Sequence, residues 1–327
     1  MTIPLKNPLA LGSSILLIAP FFLWGTAMVA MKGVLPDTTP LFVGGIRLVP
    51  AGILILLFAA IRGLPQPTSL KAWLWIGGFA LVDATLFQGF LAEGLNRTGA
   101  GLGSVIIDSQ PLAVALMSSW LFGETIGLWG GLGLALGILG ISLIGLPDEW
   151  FFSLWETQSL SIEWSWQNLF NSGEWLMLLA SLSMAVGTIL IRFVSRHADP
   201  VVATGWHMIL GGLPLFILSN AWESQQWQAI TVNDGLNLAY ATIFGSAIAY
   251  GIFFFLASQG NLTSLSALTF LTPVFALTFG NLLLGEELSH LQWIGVSLTL
   301  MSIYLINQRE RIKEQVKSLA AIALLVK

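Results

Sequence analysis

Four ionisable side chains stand out because they fall inside long apolar stretches: Arg47, Asp83, Asp108 and His207. Such groups are costly in lipid and normally face the interior of a helix bundle. Arg47 is a permanent cation that can hold a carboxylate through two hydrogen bonds. His207 is of the residue type that titrates near neutral pH and can take part in proton coupling. Gln88 and Tyr250 add neutral hydrogen-bonding groups. Arg47, Asp83, Gln88, Asp108, His207 and Tyr250 are therefore the candidate substrate pathway. Simpler readings stand beside it. Arg47 could snorkel to headgroups from the outer end of its helix, the acids could pair internally with Arg47, and His207 could be a satisfied core residue.

Asp108 has the most suggestive neighbourhood. Ser104, Asp108, Pro111, Ala115 and Ser118 follow helical spacing and share one face. Pro111 removes a backbone hydrogen bond and leaves the Ile107 carbonyl without its partner. That carbonyl, beside Asp108, suggests a local site for a polar ligand. The corresponding face later in the chain reads Ser266, Phe270, Pro273, Leu277 and Gly280, keeping the proline and replacing the acid with an aromatic ring. Pro111 and Pro273 are expected to be helix-breaking residues on either side of the pathway.

The elements that position these groups are read from composition. The chain is 55% hydrophobic and 9% charged, against about 25% charged in soluble domains. Too few charges remain to cover a water-facing surface. Apolar runs near the length of about 20 residues needed to cross a bilayer occur at 13–33, 40–61, 71–95, 99–122, 127–146, 174–194, 200–219, 236–258, 262–284 and 291–307. If the N-terminus is cytoplasmic, Lys6, Arg62, Lys71, Arg192, Arg196, Arg309, Arg311, Lys313, Lys317 and Lys327 all fall inside, and Lys32 and Arg97 outside. That asymmetry orients the chain with both termini cytoplasmic. The first run is longer than the apolar region of a signal peptide and is expected to be retained.

The runs repeat. Pro111…Gly123-Glu124 recurs as Pro273…Gly285-Glu286, 162 residues on; Gly25-Thr26 matches Gly187-Thr188, and Gly89 matches Gly251. Near the second run the offset is 160, where Arg47 meets His207. Five runs per half force the second half to enter from the opposite side. The expected fold is an all-α membrane protein with ten transmembrane helices as two inverted five-helix repeats, at 13–146 and 173–307. An aromatic, acidic outer connector at 147–172 and a basic cytoplasmic tail at 308–327 complete the chain. Glu124 and Glu286 are expected to organise helix junctions, with glycine ending one helix and glutamate favouring the start of the next.

Two five-helix units that each end in this Pro…Gly-Glu phrase resemble the EamA family of the drug/metabolite transporter superfamily. The resemblance covers residues from about 15 to 307. It implies a ten-helix secondary transporter that exports or exchanges amino acids and other small metabolites.

The rest of the chain bounds the alternatives. There is no cysteine, and the histidines His197, His207 and His290 do not form a His-Glu-x-x-His site, so no metal or cofactor is expected. No Walker A sequence is present, and Gly99 to Gly103 lacks the spacing of a dinucleotide fingerprint. Trp150, Phe151, Trp155, Trp164 and Trp166 in the connector suit a headgroup layer or a plain linker. The tail pairs basic residues with apolar Leu319 to Val326 and could lie on the inner leaflet. Span five carries small-xxx-small pairs, Gly127/Gly131 and Gly133/Gly137, expected to pack within the fold instead of forming a dimer face. The leading expectation is an exporter of small polar metabolites such as amino acids, working by alternating access of the two repeats. The expected partners are a small-molecule substrate, membrane lipid and candidate coupling protons, with no nucleic acid and a monomer sufficient. An intramembrane enzyme and a passive channel are the alternatives.

Overall fold

The structure is a computed structural model that describes residues 11–32, 34, 37–95, 97, 106–145, 173–284 and 289–325. Outside them lie Ser104, Glu286, the string 99–103 and the connector 147–172; of Leu277 and Gly280 only the helical backbone is described.

Among the described residues all regular structure is helical. Helix α1 is Leu11–Lys32 and α2 is Pro40–Ile61. Helix α3 runs Leu70–Phe79, then a π-helical stretch Ala80–Leu86, then Phe87–Leu95. Helices α4, α5, α6 and α7 are Gln110–Phe122, Gly127–Gly145, Gly173–Val194 and Pro200–Trp222. Helix α8 runs Val232–Tyr240, a second π-helical stretch Ala241–Ile248, and Ala249–Gln259. Helix α9 joins Leu262–Ala267, a tight turn Leu268–Phe270 and Leu271–Leu284; α10 is His290–Leu325.

Six of these helices, α2, α3, α5, α6, α7 and α8, contain segments long and apolar enough to cross a membrane. Shorter apolar helices cover Ile15–Met31, Ile106–Phe122 and Leu262–Ala276. A helix satisfies its own backbone hydrogen bonds, which is what a bilayer interior requires. The side-chain distribution fits the same solvent. Large apolar residues such as Leu57, Ile61, Trp120, Leu128 and Ile217 point outward, while Arg47, Asp83, Gln88, Gln110, Thr188 and His207 are buried.

Local sequence sets the helix ends. Asp199 caps α7 by accepting from the Val201 and Val202 amides, with Pro200 opening the helix. Thr231 and Asp234 form a reciprocal capping box at the start of α8. Gly123 ends α4 with φ +66°, a left-handed conformation that glycine adopts without a steric penalty. Helix α2 has no cap of its own. The Glu223 carboxylate, from the end of α7, accepts its Leu41 and Phe42 amides at 2.9 and 3.1 Å.

Packing follows one pattern. The most extensive pairings join α2 to α7 and α5 to α10. Helix α1 packs on α8 and α9, while α6 packs on α3 and α4. The π-helical stretch of α8 lies on α2, and that of α3 lies on α7. Advancing every helix by five, with wrap-around, maps this set of contacts onto itself. Small residues permit the closest approaches. A Cβ at Gly52 would meet the Gly205 carbonyl, and one at Gly140 would meet Thr299 and the Gly295 carbonyl.

Helix α10 continues through residue 308 without a break. Arg309 is buried, not set against lipid. Its guanidinium donates to the carbonyls of Thr125 and Ile306, the Ser264 hydroxyl and Asn261 Oδ1 at 2.8–3.2 Å. The junctions before α5 and α9 leave acceptors without helical partners, and a planar five-donor fork can serve several at once.

Candidate functional site

The two π-helical stretches supply the centre. A π-helical turn inserts an extra residue, shifts the faces of the helix, and recurs at functional sites. Asp83 lies in the first stretch, Ser246 in the second. Each meets the buried basic residue of a second helix in the other half. Arg47 of α2 donates through Nη2 to the Ser246 hydroxyl at 3.2 Å. His207 of α7 places Nε2 3.0 Å from Asp83 Oδ2. The two contacts occupy corresponding places, because Arg47 and His207 are counterparts and so are the stretches they touch.

Their electrostatics differ. Nδ1 of His207 is 2.9 Å from the Thr204 carbonyl. A carbonyl only accepts, so Nδ1 carries a proton. The Nε2···Oδ2 contact then needs one further proton, on the imidazole or on the carboxyl. In either case the pair is neutral overall. Phe79 stacks on the imidazole at 4.1 Å and Phe254 meets it edge-on at 5.5 Å. Gly187 of α6 backs directly against the Asp83 carboxylate, leaving no room for a larger residue. Among the described residues Arg47 has no such neutralising partner. It is 8% exposed, Ser246 is the acceptor it reaches among the described residues, and its Nε has none. It does not snorkel to a boundary, and the acid paired in this interior is paired with histidine instead of arginine.

Gln88 and Tyr250, counterparts at a spacing of 162, meet each other. Gln88 Nε2 donates to the Tyr250 hydroxyl at 3.2 Å. Trp24 of α1 packs edge-on against Tyr250 with centroids 5.0 Å apart.

In the Asp108 neighbourhood the helix is interrupted at Ser109. The chain turns at Ser109 and α4 starts at Gln110, so Pro111 occupies the first turn, where a missing amide costs little. Pro273 likewise follows the tight turn Leu268–Phe270. In both places a helical segment, 106–108 or Leu262–Ala267, precedes the interruption, and each proline sits in the first turn of the segment that follows. The Ile107 carbonyl is not left open either, since Ser181 of α6 donates to it at 3.4 Å. One turn on, Gln110 donates to Thr188 at 3.2 Å. Asp108 itself is half-buried and has no hydrogen-bond or ion-pair partner among the described residues.

Glu124 organises a junction, but not the one adjacent to it. Its carboxylate accepts the amides of Leu262 and Thr263 and the Thr263 hydroxyl at 2.8–3.0 Å, capping α9 of the other half instead of α5. Arg192 lies 3.8 Å away and donates to the Ala257 carbonyl. Glu93 and Arg97 pair with each other at an exposed boundary. Sequence reasoning missed Trp24, Thr188 and Ser246. The first two adjoin or belong to the repeated Gly-Thr phrases, a usable signal, whereas a lone serine in an apolar helix carries none.

Comparisons with known proteins agree with this architecture. The model of the EamA-like transporter family matches twice, over residues 11–146 and 171–308. An uncharacterized transporter of Synechocystis is 68% identical over 98% of this chain and 97% of its own length. A WAT1-related chloroplastic protein of Arabidopsis thaliana is 53% identical over 89% of this chain and 68% of its own. The inner membrane transporter YedA of Escherichia coli is 26% identical, covering 89% of each chain. A solved crystal structure superposes with a TM-score of 0.76 over 93% of this chain and 99% of its own, at 16% identity, a likeness of fold. The chain is a multi-pass membrane protein and belongs to the EamA-like transporter family.

Proposed function

We propose that this protein carries small polar metabolites such as amino acids outward across the plasma (inner) membrane, by alternating access of two inverted five-helix repeats. Ten spans follow when the shorter apolar helices and α10 are counted with the six long ones, and the distribution of Lys and Arg puts both termini in the cytoplasm. One observation carries the reading. The Arg47–Ser246 and His207–Asp83 contacts each tie the second helix of one half to the π-helical stretch of the other, in an interior closed around both. Polar groups held where two matching halves meet are the arrangement that rocking of one half against the other would open to each side in turn.

Asp108 and the Asp83–His207 pair are the groups available for proton coupling, and the single chain supplies both halves, so a monomer suffices. A metabolite screen tests the function. Cells overproducing the protein should hold less of its substrate inside and more outside than cells lacking it. The reverse distribution overturns export, and identical profiles overturn transport of the compounds screened. In liposomes, pH-dependent transport retained by Asp108→Asn removes Asp108 from coupling.

A further inference from the structure

The polar interior contains two matching basic positions, only one of which is neutralised. His207 has an acid partner, while Arg47 has a hydroxyl. Beside Arg47 several donors lack acceptors among the described residues. Among the described residues its Nε has no acceptor, and neither has the buried Trp24 indole N–H. Ser246 accepts from Arg47 and keeps its own O–H to give. Tyr250, one turn along the same helix, accepts from Gln88 and keeps its O–H as well. Tyr250 lies within electrostatic range of Arg47, and its ring contacts Trp24. Asp83, in the same interior, is engaged by His207 through Oδ2, and its Oδ1, which has no partner among the described residues, is packed against Gly187.

Unpartnered buried donors are costly, and an unpartnered buried cation more so. A fold retains them where a ligand supplies the missing acceptor. We infer that Arg47, Ser246, Tyr250 and Trp24 form an oxyanion site, and that the transported metabolite carries a carboxylate held there. The inference rests on the transport reading for its biological use. Arg47 forms the charge contact, the two hydroxyls and the indole N–H complete the acceptor's hydrogen bonds, and Trp24 with Phe253 offers an apolar wall, their rings 5.1 Å apart. The neutral Asp83–His207 pair, which bridges the two halves, would add no competing charge.

Thermal unfolding of the purified full-length protein tests this without knowledge of the natural substrate. The probes are acetate, benzoate, succinate and alanine, each compared with its amide at equal ionic strength. The wild type should be stabilised by one or more carboxylates and by none of the amides. Arg47→Met should abolish that response and raise the ligand-free midpoint, because it removes an uncompensated buried cation. Arg47→Lys should keep a weakened response. Stabilisation by amides, a response retained in Arg47→Met, a lowered ligand-free midpoint in that variant, or no response to any carboxylate overturns the site. Flux measured in parallel separates the two readings. Arg47-independent transport of a neutral or cationic compound refutes the oxyanion site and leaves transport intact. Carboxylate binding without flux of the bound compound refutes the transport reading alone.

Discussion

At the scale of single residues, Asp83 and His207 meet as a neutral pair with both side chains buried. Replacing Asp83 with Asn offers His207 Nε2 an amide donor while removing the ionisable carboxyl. Asp83→Leu leaves that nitrogen without a partner, which costs about 1–3 kcal/mol. Unfolding in detergent should therefore rank the stabilities wild type, then Asp83→Asn, then Asp83→Leu. Equal stability of all three would show that the contact is not formed. The pathway candidates were legible because ionisable and amide groups are rare in apolar runs. Their pairing was not, since the choice of histidine over arginine for Asp83 depends on which face a π-helical stretch presents, and an extra residue in a helix leaves no mark in periodicity. Ser246 was hidden for the same reason.

At the scale of elements, the helices could be read from sequence because each needs a long apolar run, whereas their junctions could not. Glu124 and Glu223 cap helices far away in the chain, and that choice belongs to tertiary packing. Glu124→Ala should cost about 0.5–2 kcal/mol through loss of the α9 cap, measured as a lowered unfolding midpoint. Suppressing the same change with a new cap at Asn261 would not be expected, because Asn261 already accepts the Ser264 amide. Glycines give a sharper contrast. A Cβ at Gly187 collides with Asp83, whereas one at Gly77 meets nothing within 4 Å. Gly187→Ala should lose about 1–3 kcal/mol from overpacking, and Gly77→Ala should gain up to about 1 kcal/mol from helix propensity. Matching midpoints for the two variants would contradict the close α3–α6 packing.

At the scale of the whole molecule, the spacing of 162 residues does most of the explaining. It aligns the Pro…Gly-Glu phrases, places both π-helical stretches at corresponding positions, and brings Gln88 onto its own counterpart Tyr250. Duplication was therefore visible in sequence, and so was the point where the halves diverge, at Arg47 and His207. What sequence could not supply is that divergence is a matter of charge balance, with one basic group neutralised and the other left open. If the two halves rock about this interior as proposed, the protein should behave as a carrier. The direct test is counterflow in proteoliposomes, using the metabolite that accumulates outside overproducing cells. Vesicles preloaded with unlabelled compound should take up external label transiently above equilibrium, with a rate that saturates. Flux that rises linearly with concentration and shows no counterflow would contradict alternating access and favour an open pore.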